Sequence, residues 1–152
     1  MITVQQERLA DVKDEIMPLF ERHWAEIALH QDKIQLAVNW ETYEIIDDAG
    51  VLHIFTVRDG DVLAGYLWIL AVPHLHYAEN LFANCDIIYI DKPYRKGFTA
   101  HKLIKFAEEK MKEAGVSVMS MNTKIHKPFD KLLLRLGFKP IERIYAKYLG
   151  DC

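Results

Sequence analysis

The fold that we predict depends most on residues 86–100, which have the sequence DIIYIDKPYRKGFTA. They read as the main part of an apolar strand over 84–91, a basic turn with one glycine, Gly97, and the start of an amphipathic helix over 98–114. The first N–H groups of a helix have no partner within the helix, and the helix dipole favours negative charge there. We therefore expect this turn to hold the pyrophosphate of a large cofactor, and the strand to hold the reactive end of the same cofactor.

The composition is that of an ordinary globular protein with room for a real core. The 152 residues predict a single domain, 51% of the residues are hydrophobic and 27% are charged. A net charge of −3 argues against a general nucleic-acid or membrane-surface binder, because that affinity comes mainly from Lys and Arg. Cys85 and Cys152 are too few for a disulfide framework. With no signal peptide or apolar span recognised, we expect a cytoplasmic protein.

Hydrophobic periodicity and turn residues predict the order of the elements. A short strand at 2–4 precedes a helix over 8–29, which Pro18 should kink or split. Asn39 should cap a second helix. Gly65 should mark a bulge or a close backbone approach within its strand. The remaining predictions are a helix over 40–49, strands over 51–57 and 62–72 joined at Asp59-Gly60, a strand over 116–121, a helix over 128–136 and a last strand over 141–149. This order predicts an α/β protein with a mixed sheet and helices on both faces.

Several of these stretches resemble the GNAT superfamily of acyl-CoA-dependent N-acetyltransferases. The family's cofactor signature is (R/Q)-x-x-G-x-(G/A), and Arg95 and Ala100 occupy its first and last places. Phe98 stands at the middle glycine position, and Gly97 lies one residue earlier. More narrowly, His74-Leu75-His76-Tyr77, Arg95-Lys96-Gly97 and Gly137-Phe138-Lys139-Pro140 are similar to stretches of the small acetyltransferases of tailed bacteriophages.

The resemblance implies a GNAT-like fold, in which an antiparallel meander is followed by a splayed pair of parallel strands. It also implies acetyl transfer from acetyl-CoA to a primary amine by direct attack. Free backbone groups of Ile88 and Ile90 would bind the pantetheine arm, and one N–H would polarise the thioester carbonyl. The implied cofactor-binding residues are Ile88, Tyr89, Ile90, Arg95, Lys96, Gly97, Phe98, Thr99, Ala100 and His126.

Proton transfer has less support in the sequence. Asp86 is the first candidate for a general base, because it begins the strand and is expected to share a face with Ile88 and Ile90; as an alternative, it is an ordinary residue at a strand edge. Other candidates for the base are Glu44, Glu79 and His76. Leu133 stands where many family members have a tyrosine as general acid. The candidates for that role are His126, Tyr145 and Tyr148.

The acceptor is not specified by any motif, and both a small amine and a protein amine fit the pattern. The residues expected to contact it are His74, His76, Tyr77 and Glu44. We predict no metal site, no nucleic-acid partner and no membrane partner. The exposed end of the sheet leaves room for a homodimer, and a phage-encoded chain would act in the host cytoplasm. The alternative function is a GNAT-like module, weak or inactive in catalysis, that binds a host protein.

Overall fold

A computed structural model describes residues 1–150 of the chain. The elements in chain order are β1 (Ile2–Glu7), α1 (Leu9–Ile27), α2 (Trp40–Asp48), β2 (Leu52–Asp59), β3 (Val62–Pro73), β4 (Leu81–Ile90), a 3-10 turn (Lys92–Tyr94), α3 (Thr99–Glu113), β5 (Val116–Ser120) and α4 (Asp130–Arg135). Cys152 lies outside the described residues. Within them, none of the helices is long and apolar enough to cross a membrane.

The five strands form one sheet in the order β1-β2-β3-β4-β5. The first four strands pair antiparallel, and β4 pairs parallel with β5. The tight turn at Gly60, whose φ is 60°, joins β2 to β3, and α3 makes the crossover that a parallel pair requires. The mixed α/β sheet that the sequence predicts is therefore confirmed.

Both N-terminal helices follow their apolar stripes. The α1 helix runs unbroken through Pro18, so the split, one of the two predicted effects of Pro18, is wrong. The first part of its stripe is buried, fully so at Val12 and Ile16, and holds the helix on the sheet, whereas Trp24 and Ile27 are half-buried. Asn39 caps α2 as predicted, with its side chain accepting a hydrogen bond from the N–H of Thr42 at 3.0 Å. The two helices cover one face of the sheet, and α3 covers the other.

Gly65 shows both features that the sequence predicts for it. The β2–β3 register shifts beside it, between Val57 and Arg58, which is a bulge. A Cβ atom on Gly65 would also lie 2.8 Å from the carbonyl oxygen of Tyr89 on β4. This position therefore needs a glycine for close packing of β3 against β4.

The last predicted strand, over 141–149, is absent: residues 138–150 form neither helix nor strand. The large apolar side chains of this segment are exposed, so no burial holds it against the sheet as a strand: Ile141, Ile144, Tyr145 and Leu149.

Candidate active site

The parallel strands β4 and β5 separate halfway along β4. They pair only from Leu81 to Asn84 on β4, and Asn84 lies opposite Ser120. The Ser120 hydroxyl donates to the Asn84 side-chain oxygen at 2.8 Å, which closes the narrow end of the gap. Beyond this point β4 continues to Ile90, and within residues 1–150 no strand pairs with it on that side. A slot therefore opens between the two strands along 85–90.

The backbone direction along β4 decides which groups face this slot. The N–H of Asp91 donates to the carbonyl of Ala64 on the β3 side at 2.8 Å. Because successive residues of a strand point their N–H and C=O groups to opposite sides, Ile88 and Ile90 direct theirs away from β3. The Ile90 carbonyl accordingly accepts a hydrogen bond from the Arg95 side chain at 2.6 Å. The two residues expected from the sequence therefore present their backbone groups on the slot side.

Asp86 lies at a bulge on β4. Trp68 of β3 is opposite Ile87 and Ile69 is opposite Cys85, which leaves Asp86 as the extra residue. Its carboxylate accepts a hydrogen bond from the Tyr43 hydroxyl of α2 at 2.5 Å. Burial and the neighbouring carboxylate raise the pKa of Tyr43, so this hydroxyl keeps its proton and remains a donor.

The bulge corrects one sequence-based expectation. Ile88 and Ile90 pack with the core under α3, whereas Asp86 contacts Tyr43 in the cluster under α1 and α2. Asp86 therefore does not share a face with Ile88 and Ile90. An unbroken alternation over 86–90 would have placed all three together, but the extra residue shifts the alternation by one. As a result, Asp86 faces the two N-terminal helices.

The turn after β4 has the local form that an anion site requires. Gly97 has a φ of 59°, and no atom lies within 4 Å of where its Cβ would be. The α3 helix starts two residues later, so the N–H groups of Thr99, Ala100 and His101 have no intrahelical partner. Lys96 is exposed beside them, and the Phe98 ring is also exposed.

The Arg95 side chain has protein partners in the structure, and its expected contact with phosphate stays a prediction. Its two terminal nitrogens donate to both oxygens of Glu26 on α1, at 2.7 and 2.6 Å. The Arg95 guanidinium also lies over the ring of Tyr89, and it holds the pKa of Glu26 below its usual value. Arg95 therefore ties α1 to the end of β4.

A cavity of about 530 Å³ lies between α1, α2 and β4, with Asp86 and Ile87 in its wall. Most of the lining is apolar. Besides Ile87, the larger apolar side chains are Phe20, Trp24, Ile27, Leu36, Val38, Ile46 and Leu70. Tyr43 and His23 also line it. Sequence analysis assigned neither residue to a site with Asp86, because only the packing of α1 and α2 on the sheet brings them beside it.

His23 is the buried histidine of this site. Its Nδ1 lies 2.7 Å from the Tyr66 hydroxyl, and its ring stacks on Tyr89 at 4.9 Å. Burial lowers the pKa of His23 to about 4, so the ring is neutral at neutral pH. Glu26, which is three residues further along α1, is paired with Arg95. Within residues 1–150, no cluster of His, Cys, Asp and Glu side chains could hold a metal ion.

The other residues considered for proton transfer lie apart from Asp86. His126 is exposed, and its Nε2 lies 3.1 Å from the Ile27 carbonyl at the end of α1. Tyr145 is 87% exposed in the segment that forms no strand. The Tyr148 ring packs with His30. Leu133, at the usual tyrosine position, is buried in the core under α3.

The residues expected to contact the acceptor do not line the cavity. His74, His76 and Tyr77 lie in the β3–β4 loop, where the His74 ring packs against Tyr77 and Phe82. Five residues of extended β4 separate this loop from Asp86, a distance of roughly 16 Å. Glu44 instead pairs with Lys13 at 2.6 Å. The structure therefore does not bring these four residues to the site.

Comparison with known proteins identifies the fold. The model of the acetyltransferase (GNAT) family matches residues 9–138. A comparison with curated proteins finds no significant match. Among solved structures, a ribosomal-protein-alanine N-acetyltransferase from Brucella melitensis is similar at a TM-score of 0.72 and 19% identity, covering 99% of this chain and 100% of that one.

Two further solved structures have the same fold. One is an aminoglycoside acetyltransferase from an uncultured soil metagenomic sample, in complex with sisomicin; its TM-score is 0.74 at 12% identity, covering 98% of this chain and 95% of that one. The other is a predicted acetyltransferase from Clostridium acetobutylicum with acetyl-CoA; its TM-score is 0.75 at 9% identity, covering 100% and 99%. Identities this low show a shared fold alone.

Proposed function

This chain belongs to the acetyltransferase (GNAT) family, and we propose that it transfers an acetyl group from acetyl-CoA to a primary amine by direct attack. The observation that carries the proposal is the edge of β4 along 85–90, which pairs with no strand in the described part of the chain and runs beside the cavity at Asp86. A donor in the slot and an amine in the cavity would therefore meet at the bulge. Such positioning alone supplies a large part of many rate enhancements.

The chain has suitable groups for the cofactor. Backbone groups of Ile88 and Ile90 face the slot, so they can bind the amide-containing pantetheine arm. The N–H groups at the start of α3, with Gly97 and Lys96 before them, suit the pyrophosphate. When bound, acetyl-CoA supplies the acetyl group as a reactive thioester. A β4 N–H that faces the slot can stabilise the negative charge that develops on the acetyl oxygen.

Asp86 is the residue that we assign to the acceptor amine. An amine must lose its proton before it can attack, and the Asp86 carboxylate can accept that proton directly or through water. The Tyr43 hydroxyl holds one carboxylate oxygen and so fixes the orientation of the other. We assign no general acid, because a thiolate leaves readily without one. The homodimer, the cytoplasmic location and the likeness to phage enzymes stay predictions.

Two glycines offer a matched test of where the cofactor binds. Gly97 and Gly50 have φ values of 59° and 74°, and neither has an atom near its Cβ position. An alanine at either site should therefore cost a similar stability, about 1–2 kcal/mol. Isothermal titration should show that Gly97→Ala weakens acetyl-CoA binding about tenfold, equivalent to about 1.4 kcal/mol, while Gly50→Ala does not.

Turnover is tested by the release of free thiol from acetyl-CoA with a panel of primary amines. We expect release that depends on the amine. If the wild-type protein does not bind millimolar acetyl-CoA, the proposal fails. If it binds acetyl-CoA and releases no thiol with any amine, the alternative of a binding module is correct instead.

A further inference from the structure

The cavity beside Asp86 has the chemistry of a site for one apolar molecule with one amine. Its wall is formed by aromatic and aliphatic side chains of α1, of α2 and of the segment between them, including Phe20, Trp24, Leu36, Val38 and Ile46. A volume of about 530 Å³ lies within the usual range for small-molecule sites. An acceptor that fills it would bury its carbon skeleton against these side chains, which is the main source of affinity in such a site.

The charges of the cavity favour a single amine over a polyamine. Among the described residues that line it, Asp86 is the only acid, and Lys124 adds a positive charge. Nearby acids are already paired: Glu26 with Arg95, and Glu44 with Lys13. A ligand with several ammonium groups would lose their hydration and find one carboxylate, which is unfavourable. His23 lines the cavity as a neutral ring, so it does not repel one ammonium group.

The position of Asp86 fixes how such a molecule would lie. Tyr43 donates to Oδ2 of the carboxylate, and within residues 1–150 no hydrogen bond involves its Oδ1. An ammonium group bound at Oδ1 would lie at the bulge of β4. There the strand borders the cavity on one side and the slot on the other. The rest of the molecule would then extend between α1 and α2, away from the cofactor.

We propose that the acceptor is a small monoamine with an aromatic or bulky aliphatic body, bound in this cavity with its amine at Asp86. The inference rests on the proposed function, because it names the acceptor of that reaction. In the transfer step, the amine nitrogen forms a bond to the acetyl carbon while the carbon–sulfur bond of acetyl-CoA breaks. The sulfur leaves as a thiolate. Asp86 passes the first proton of the bound ammonium group to water before the attack, and it takes the second proton from nitrogen as the amide forms.

The test compares three probe amines in calorimetry, with and without CoA. 2-Phenylethylamine and ethylamine carry the same charge and differ in the apolar body, and spermidine carries several charges. We expect 2-phenylethylamine to bind about tenfold to a hundredfold more tightly than ethylamine, because its ring is buried. We expect spermidine to bind more weakly than 2-phenylethylamine. Two results, each obtained both with and without CoA, would overturn the inference. One is that spermidine binds at least as tightly as 2-phenylethylamine, and the other is that ethylamine binds as tightly as 2-phenylethylamine.

A variant of the wall makes the charge argument sharper. Ala37 lines the cavity and is exposed, so Ala37→Glu adds a second carboxylate without disturbing the core. It should tighten spermidine binding about two- to fivefold, and 2-phenylethylamine binding by less, because only spermidine has further ammonium groups to place beside the new carboxylate. The isosteric Ala37→Gln is the control, and it should tighten neither. An equal effect of Glu and Gln on spermidine would contradict the role of charge.

These measurements separate the inference from the proposed function. If 2-phenylethylamine binds with the expected preference but no thiol is released from acetyl-CoA, the cavity assignment stands and the enzymatic proposal fails. If acetyl-CoA is turned over with spermidine or a peptide amine in preference to 2-phenylethylamine, the enzyme stands and the acceptor class is wrong.

Discussion

The two faces of the sheet are built from different residues and do different things. Under α3 the core is mainly aliphatic and close-packed, with Leu103, Ile104 and Ala107 fully buried. Under α1 and α2 the core is rich in aromatic side chains, such as Phe20, Tyr66 and Trp68, and a cavity remains beside it. The difference indicates that the α3 face provides the rigid support of the slot, whereas the α1/α2 face leaves packing incomplete and so provides a binding site.

The largest loss of stability should come from removing a side chain on the α3 face of the sheet. Leu103→Ala should lower the free energy of unfolding by about 2–5 kcal/mol, because Leu103 is fully buried and α3 cannot collapse into the space. Ile46→Ala, on the cavity wall, should cost less than about 1 kcal/mol, because Ile46 already borders open space. Urea denaturation measures both values. Equal losses would show that the two faces are packed alike.

The second effect is a loss of catalytic rate on the α1/α2 face of the sheet. Asp86→Asn keeps an acceptor for the Tyr43 hydroxyl but cannot take a proton, so acetyl transfer should fall about 100-fold. The free energy of unfolding should change by less than about 1 kcal/mol, because the Asp86 side chain is exposed. Thiol release with the best amine measures the rate. Glu113→Gln, at the exposed end of α3, is the matched control, and a similar rate for both variants would remove Asp86 from the mechanism.

The third and smallest effect is the pH dependence of stability that comes from His23 on the α1/α2 face. Its pKa in the folded protein is about 4, below the unfolded value of about 6.5, so between these values the unfolded chain binds more protons. His23 therefore contributes stability that is present above pH 6.5 and is lost as the pH falls towards 4. From pH 7.5 to pH 5, the wild-type protein should lose about 2 kcal/mol more than His23→Asn.

Denaturation curves of the two proteins at both pH values measure this difference. Carboxylates such as Glu26 also respond to acid, and the comparison cancels their contribution because both proteins contain them. If His23→Asn is too unstable to measure, an NMR titration of the wild-type His23 ring gives the same answer. A ring that titrates near pH 6.5 would contradict the account.

Local sequence patterns were enough for the framework of the site. The apolar run before Pro93, the glycine of the turn and the amphipathic helix after it predict the β4–α3 unit, and the family resemblance implies the splay of β4 from β5. These features depend on neighbouring residues and on hydrophobic periodicity, so they can be read directly from the chain. The strand predicted over 141–149 does not form, and its large apolar side chains stay exposed.

Features that depend on distant contacts could not be predicted in this way. No local pattern indicates that Arg95 pairs with Glu26, which lies 69 residues earlier. The bulge at Asp86 leaves no sign in the composition of the strand, because any residue can be the extra one. Tyr43 reaches Asp86 only after α2 docks on the sheet. Side-chain roles were therefore the least predictable part of the site.

Amide hydrogen exchange along β4 tests the central claim that acetyl-CoA binds in the slot. The N–H groups of Tyr89 and Asp91 face β3 and should be protected with or without acetyl-CoA. Those of Ile88 and Ile90 face the slot, and saturating acetyl-CoA should slow their exchange about tenfold or more. Along β4, slowing at Ile88 and Ile90 but not at Tyr89 and Asp91 is the result that the account predicts. Bound acetyl-CoA with unchanged exchange at these two residues would contradict it.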